Sequence, residues 1–321
     1  MYPFALTGSN IVNAVDVDMD ASDVYKIALL VEKTVQKAMT EDYATSRDEQ
    51  NLARVLAMRL YQVSGEMGHD RGTFKFASDL FNNPNSSYPA PLVQRRKKGR
   101  EILQTLAENG MPHAQYALGL AAIAEGNQAD ALYFTTHAAD NGFALAQFQL
   151  ANWYKTGQIK SVDPSKAFLY MARAHEQKLI EATFMLALMY KDGFGCDADM
   201  SKYFELLMQA STGGLAVAQH NLGSLHLHGQ NDKSPNTKLA IEYFRLASAQ
   251  KFLPSQLNLV ELYLYGHDDI KHDHYAARKF LKMAQDQVNG GRVSEAERQK
   301  ILEYQSTIDS LPAPKSTCRI L

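Results

Sequence analysis

Five segments of this chain repeat one spacing of residues, and that repetition constrains the fold more than any other feature. Small residues stand at Ala114, Ala146, Ala182, Ala218 and Ser255, separated by 32, 36, 36 and 37 positions. Four positions after each come Leu118, Leu150, Leu186, Leu222 and Leu259; eight after, Ala122, Tyr154, Tyr190, His226 and Tyr263; eleven after, Glu125, Gly157, Gly193, Gly229 and Gly266. Offsets 0, 4, 8 and 11 share one side of an α-helix, and a glycine just past them supplies the left-handed residue that ends it. This is helix A. A second ladder has Ala131, Ala167, Tyr203, Ala240 and Ala277, with Phe134, Tyr170, Leu206, Tyr243 and Phe280 three positions on, and Ala138, Ala174, Ala210, Ala247 and Ala284 seven on. Its small and aromatic residues let two helices approach closely while rings fill the groove. This is helix B, and each of its first four anchors precedes the next helix A anchor by fifteen residues. An all-α chain of helix pairs follows, in which each pair buries its apolar faces against its neighbours.

The pattern A-x-x-x-L-G-x-x-Y-x-x-G, followed by D-x-x-K-A and A-A-x-x-G-x-x-x-A, resembles Sel1-like repeats, which are related to tetratricopeptide repeats. The fullest copies are AQFQLANWYKTG with DPSKAFLYMARA, and ATFMLALMYKDGFG with DMSKYFELLMQAS. The resemblance covers residues 97 to 288. Upstream, Ala57, Leu60, Ser64 and Gly68 mimic helix B, and Gly72, Phe76, Ala77 and Leu80 mimic helix A. The copy at Ala114 departs from the pattern, with Ala122 in place of tyrosine and a shortened loop, and residues 83 to 96 form a Pro/Asn/Ser-rich excursion. The resemblance implies a right-handed α/α superhelix, a solenoid, that binds a protein partner and does no chemistry. The expected organisation is a flexible N-terminus (1–21), capping helices with a degenerate repeat (22–96), the repeat array (97–305) and a flexible tail (306–321). An amphipathic helix over about 22 to 39 caps the array.

Bulk properties narrow the function classes. With 33 basic and 35 acidic residues the net charge is −2, so no global field draws the chain to nucleic acid or to a membrane surface. No stretch approaches the roughly 18 consecutive apolar residues of a membrane-spanning helix. Cys196 and Cys318 form no spaced framework, which favours a reducing compartment. The N-terminal stretch has no basic residue before Lys26 and carries Asp16, Asp18, Asp20 and Asp23, unlike a signal or transit peptide. The expected location is the cytoplasm, with a mitochondrial site as the alternative.

Several clusters imitate chemistry. His220, His226 and His228 crowd together, but their spacings of 6 and 2 do not place imidazoles on one helical face as an i, i+4 pair would. His226 fills the tyrosine column and should pack between helices. The cluster HDDIKHDH (267–274) occupies a connection between helices, so no metal and no cofactor is expected. Ser248-Ala-Gln-Lys251 and Lys155-Thr-Gly157 match the strings S-x-x-K and K-T-G of β-lactamases, in reversed order and without S-D-N. A nucleophile needs its base and oxyanion donors in one pocket, and these lie on different repeats. RRKKGR concentrates Arg95, Arg96, Lys97, Lys98 and Arg100 at the start of a helix, where the macrodipole disfavours cations; a solvated loop, an acidic partner, anionic lipid or nuclear import would each suit it. The terminal Cys318-Arg-Ile-Leu fits a C-a-a-X prenylation signal, with Arg319 an imperfect match, and a single lipid gives only reversible membrane association.

Binding should occur along helix A. At about 100° per residue, offsets 3, 6 and 10 fall together on a polar strip about 60° wide, beside the buried arc. The strip carries Gln149 and Asn152, then Met185, then Asn221 and Ser224, then Asn258 and Glu261. Amides there can bond the backbone of a peptide laid along a groove. The expected function is that of an adaptor or scaffold; a mitochondrial respiratory-chain assembly factor and a β-lactamase-type hydrolase are the alternatives.

Overall fold

The structure, a computed structural model, describes residues 19–40, 47–86, 88–229, 234–267, 270–288 and 293–311. It separates into two compact units, Met1–Val162 and Asp163–Leu321. The first contains α1 (Ala21–Thr40), α2 (Arg47–Glu66), α3 (Asp70–Asn82), α4 (Leu92–Glu108), α5 (Pro112–Ala124), α6 (Gln128–Asp140) and α7 (Ala144–Thr156). The second contains α8 (Pro164–Glu176), α9 (Ile180–Asp192), α10 (Met200–Thr212), α11 (Ala216–His228), α12 (Thr237–Ala249), α13 (Leu253–Tyr265), α14 (His274–Val288) and α15 (Glu295–Ser310). Within each unit helices pack chiefly on neighbours one or two places along the chain, as a solenoid requires.

Local chemistry sets the helix ends. The recurring Asp or Asn before helix B is its cap: side chains of Asn127, Asp163, Asp199 and Asn236 accept the backbone N–H three residues on, at 3.0–3.2 Å. The expected stops of helix A are left-handed at Gly157 (φ 73°) and Gly193 (φ 67°). Where Glu125 replaces the stop glycine, positive φ passes to Gly126. Helix B ends on a second left-handed position, filled by Gly110, Gly142 and Gly214 but by Lys178 (φ 63°) and Lys251 (φ 62°) in two copies.

The two ladders form the core. All five helix A anchors are fully buried, as are the helix B anchors Ala131, Ala167, Ala240 and Ala277. The structure adds two columns. Offset 5 of helix A holds Gly119, Ala151, Ala187, Gly223 and Val260, and offset 4 of helix B holds Thr135, Met171, Leu207, Phe244 and Leu281, all buried. Burying each large apolar member contributes about 1.5–3 kcal/mol. Space is tight: a Cβ on Gly223 would lie 2.7 Å from the Phe244 ring.

A polar ladder joins the repeats. Buried Gln115, Gln147, Gln219 and Gln256, each next to a helix A anchor, donate from Nε2 to the carbonyl eight residues back, on Ala107, Ala139, Ser211 and Ser248 (3.0–3.4 Å). Three of their Oε1 atoms accept in turn from the end of helix B in the same copy: Asn141 to Gln115, Gln250 to Gln219 and Gln287 to Gln256, at 2.6–2.9 Å. Thr183 takes this place in another copy and keeps the reach, its Oγ1 meeting Nδ1 of His175 at 2.9 Å. Each bond satisfies a buried amide that would otherwise cost about 1–3 kcal/mol.

Two expected boundaries move. Residues 306–310 belong to α15, where Ile308 is buried, because an apolar face persists to Leu311; the tail therefore does not begin at 306. The division at 96/97 falls inside α4, since the Pro-rich excursion ends at Pro91 and helix resumes at Leu92. Residues 1–18 and 312–321, including Cys318, lie outside the described residues.

Candidate protein-binding surface

In the second unit, Met185, Asn221, Ser224 and Asn258 are half-buried along helix A and Glu261 is exposed. In the first, Gln149 and Asn152 are half-buried on α7. The side-chain amides of Gln149, Asn152, Asn221 and Asn258 have no hydrogen-bond partner among the described residues. Their donors and acceptors are open to a ligand, in contrast to the bonded glutamines of the ladder. Asn258 and Glu261 meet His228, Tyr265 and His267 around a hollow of about 330 Å³, floored by Leu227 and Leu262. Asn221 and Ser224 do not line it.

Glu261 departs from expectation. Its Oε2 accepts from Tyr304 Oη at 2.7 Å and from Lys300 Nζ at 3.1 Å, both on the closing helix α15. Burial works against its charge, but these two donors outweigh it and hold the carboxyl below its ordinary value. Glu261 therefore anchors the cap rather than standing free for a ligand. Glu32 does the same at the other end, accepting from Tyr61 Oη (2.6 Å) and Lys75 Nζ (3.2 Å). Burial, and then the carboxylate, push both tyrosines well above the ordinary phenol range.

The first unit has a larger hollow, of about 610 Å³, that the strip reading missed. Its floor is the same strip in the copy at Ala114, where offsets 3, 6 and 10 are Ala117, Leu120 and Ala124. Apolar residues at those offsets carried no polar signal in the sequence. Arg96, Lys97 and Arg100 of α4, Phe81 and Asn82 of α3, and Ala121 and Glu125 complete it.

The basic run is accordingly not one patch and not a loop. It lies inside α4, beyond the first turn. Arg95 is buried and donates to the carbonyls of Ser86 (2.8 Å) and Pro84 (2.9 Å), pinning the excursion. Lys98 donates to Tyr88 Oη at 2.7 Å and lies over that ring. Arg100 covers the Phe81 ring and pairs with Glu125, the residue that replaces the stop glycine. Arg96 and Lys97 are exposed and have no partner among the described residues. Gly99 lets α4 approach α3, since a Cβ there would lie 2.8 Å from the Ala77 carbonyl oxygen.

The histidines of 218–229 are engaged separately. His220 shares a hydrogen bond with Ser255 Oγ (2.9 Å), His226 stacks on Tyr243 as its column predicts, and His228 bonds the Ser224 carbonyl (2.8 Å). Burial holds His220 below its usual 6.5. Ser248 is buried, and its hydroxyl meets neither a base nor any other partner among the described residues.

Comparison with known proteins identifies the repeats. The Sel1 repeat model matches residues 144–178, 180–214, 216–252 and 254–287. The chain carries four Sel1 repeats. Its fold is shared with a protective antigen of uropathogenic Escherichia coli that displays an SLR fold (TM-score 0.62, 18% identity, 90% of this chain and 61% of that one). A Sel1 repeat protein from Oxalobacter formigenes also shares it (TM-score 0.61, 18% identity, 73% and 94%). An uncharacterised protein of Neisseria meningitidis serogroup B is 26% identical over 209 residues, 64% of this chain and 42% of that protein, so the chain spans under half of that relative's length. Sel1 repeats generally mediate protein–protein interaction on a scaffold that is typically non-catalytic. No helix among the described residues is long and apolar enough to cross a membrane.

Proposed function

We propose that this protein is a non-enzymatic adaptor that holds a partner protein along the helix A strip and so assembles or positions a complex. The observation that carries this reading is the set of unspent amides. Asn221 and Asn258 occupy the same offset in successive copies and present donor and acceptor on one face, as an extended backbone requires. The lipid signal expected at Cys318 forms no part of this reading. The test is affinity capture from the native cell with wild type and with the double variant Asn221→Ala, Asn258→Ala. The variant should lose the principal partner at unchanged thermal stability, because partly exposed side chains away from structural networks change stability little. Full retention of every partner by the variant would overturn it.

A further inference from the structure

The first-unit hollow carries a site that the amide strip does not describe. Two departures of the copy at Ala114 meet at it, the apolar strip and Glu125. The strip positions become Ala117, Leu120 and Ala124, which makes the floor apolar, and Leu120 is 45% exposed. Glu125, in place of the stop glycine, takes up the charge of Arg100. Arg96 and Lys97 are left beside that floor as two cations without a partner among the described residues.

We propose that this hollow binds an acidic peptide segment of a partner protein, seating an apolar side chain on Leu120 and its flanking alanines while neighbouring carboxylates meet Arg96 and Lys97. The proposal rests on the reading of the strip as the binding face and assigns a second, chemically distinct stretch of it. Charge complementarity selects the occupant. An isolated pair of cations binds anions weakly, and an adjoining apolar floor adds the buried area that a peptide with interspersed leucines can use. Single-stranded nucleic acid needs exposed rings for its bases, and Arg100 covers the Phe81 ring. Two cations are also too few to hold a membrane surface, at about 1 kcal/mol each.

The test uses the full chain and fluorescein-labelled Glu-Glu-Leu-Glu-Glu-Leu-Glu-Glu, read by anisotropy. Binding should weaken about tenfold in the double variant Arg96→Glu, Lys97→Glu. It should weaken severalfold in Leu120→Ser, and stay unchanged in Asn221→Ala, Asn258→Ala. Octaglutamate should bind more weakly than the leucine-containing probe. Equal affinity for octaglutamate, or for oligouridylate, would overturn the proposal, as would recovery on phosphatidylserine vesicles that Arg96→Glu, Lys97→Glu abolishes. Tighter probe binding in Asp16→Asn, Asp18→Asn would assign the site to the chain's own acidic stretch and overturn the partner reading. If the probe fails while partner capture still depends on Asn221 and Asn258, this inference falls alone; if capture is independent of those asparagines while the probe binds as described, the amide reading falls alone.

Discussion

The two hollows occupy the same offsets of helix A and have opposite walls. Around Asn258 the strip offers an amide, two histidines and a carboxylate already claimed by the closing helix. Around Leu120 it offers hydrocarbon, the Arg100–Glu125 pair and two cations without a partner among the described residues. The repeat thus decides where a depression forms, since the strip always flanks the buried arc, and the departures from the repeat decide what it attracts. A position that breaks the consensus is informative when its neighbours break it too, as Glu125 and Arg100 do together.

The comparison breaks most severely if one hollow loses its wall. Gly99→Val should destabilise the first unit by about 3 kcal/mol, because its Cβ meets backbone of α3 that has no rotamer to escape into. Denaturant unfolding followed by hydrogen exchange should show protection lost in α3–α5 and kept in α11–α13. Uniform loss throughout would mean that the chain behaves as a single cooperative block. Gly223→Ala, in the second unit, should cost about 1.5 kcal/mol, the lesser figure because the obstacle is the edge of the movable Phe244 ring. An equal cost in both variants would remove the distinction between backbone and side-chain obstruction.

Smaller changes sharpen the contrast between the two glutamates. Glu261→Gln should cost about 0.5–1 kcal/mol, allowing for its 52% exposure, since it weakens two bonds to α15. Glu125→Gln should leave stability within about 0.5 kcal/mol and strengthen acidic-peptide binding by freeing Arg100. Equal thermal shifts in the two variants would refute the assignment of one as anchor and the other as charge partner. Acidification should act on both units. Burial lowers the pKa of His113 and of His220 from 6.5, so the unfolded chain binds protons more readily there. Stability should therefore fall as pH drops below about 6.5, and His220→Gln should flatten part of that slope. Finally, Lys251→Gly should gain about 0.5 kcal/mol, the relief of a left-handed lysine less the entropy of an added glycine.

Helix existence, order and the main buried columns were legible because anchors such as Ala182 and Ala247 recur at fixed offsets and tolerate nothing larger. The caps Asp163 and Asp199 stood inside the repeated D-x-x-K without being read as caps, and Asn127 and Asn236 break that string. The column pairing Gly223 with Phe244 was not, because its members differ in size from copy to copy and only their complementarity is kept. The ladder glutamines were hidden by type: a polar residue beside an anchor reads as surface until the carbonyl it serves is seen. The amide strip could be placed by angle, but the engagement of Glu261 depends on α15, which carries no repeat. The hollow at Leu120 was missed because attention to polar residues passes over alanine and leucine. The basic run was misread for a related reason, since linear sequence does not show that Arg95 turns inward while Arg96 and Lys97 do not.

The glutamine ladder bears on how such chains change length. Each Nε2 donor finds its acceptor eight residues upstream, near the end of helix B of the preceding copy, while the donors to Oε1 come from the end of the glutamine's own copy. A copied segment arrives with its Oε1 already served and takes the carbonyl of whatever helix B precedes it. Recombination between copies can therefore lengthen or shorten the protein by whole turns of the stack without stranding a buried amide. Cuts made out of phase would leave one exposed to the core, so gain and loss of material here is quantised by a hydrogen bond.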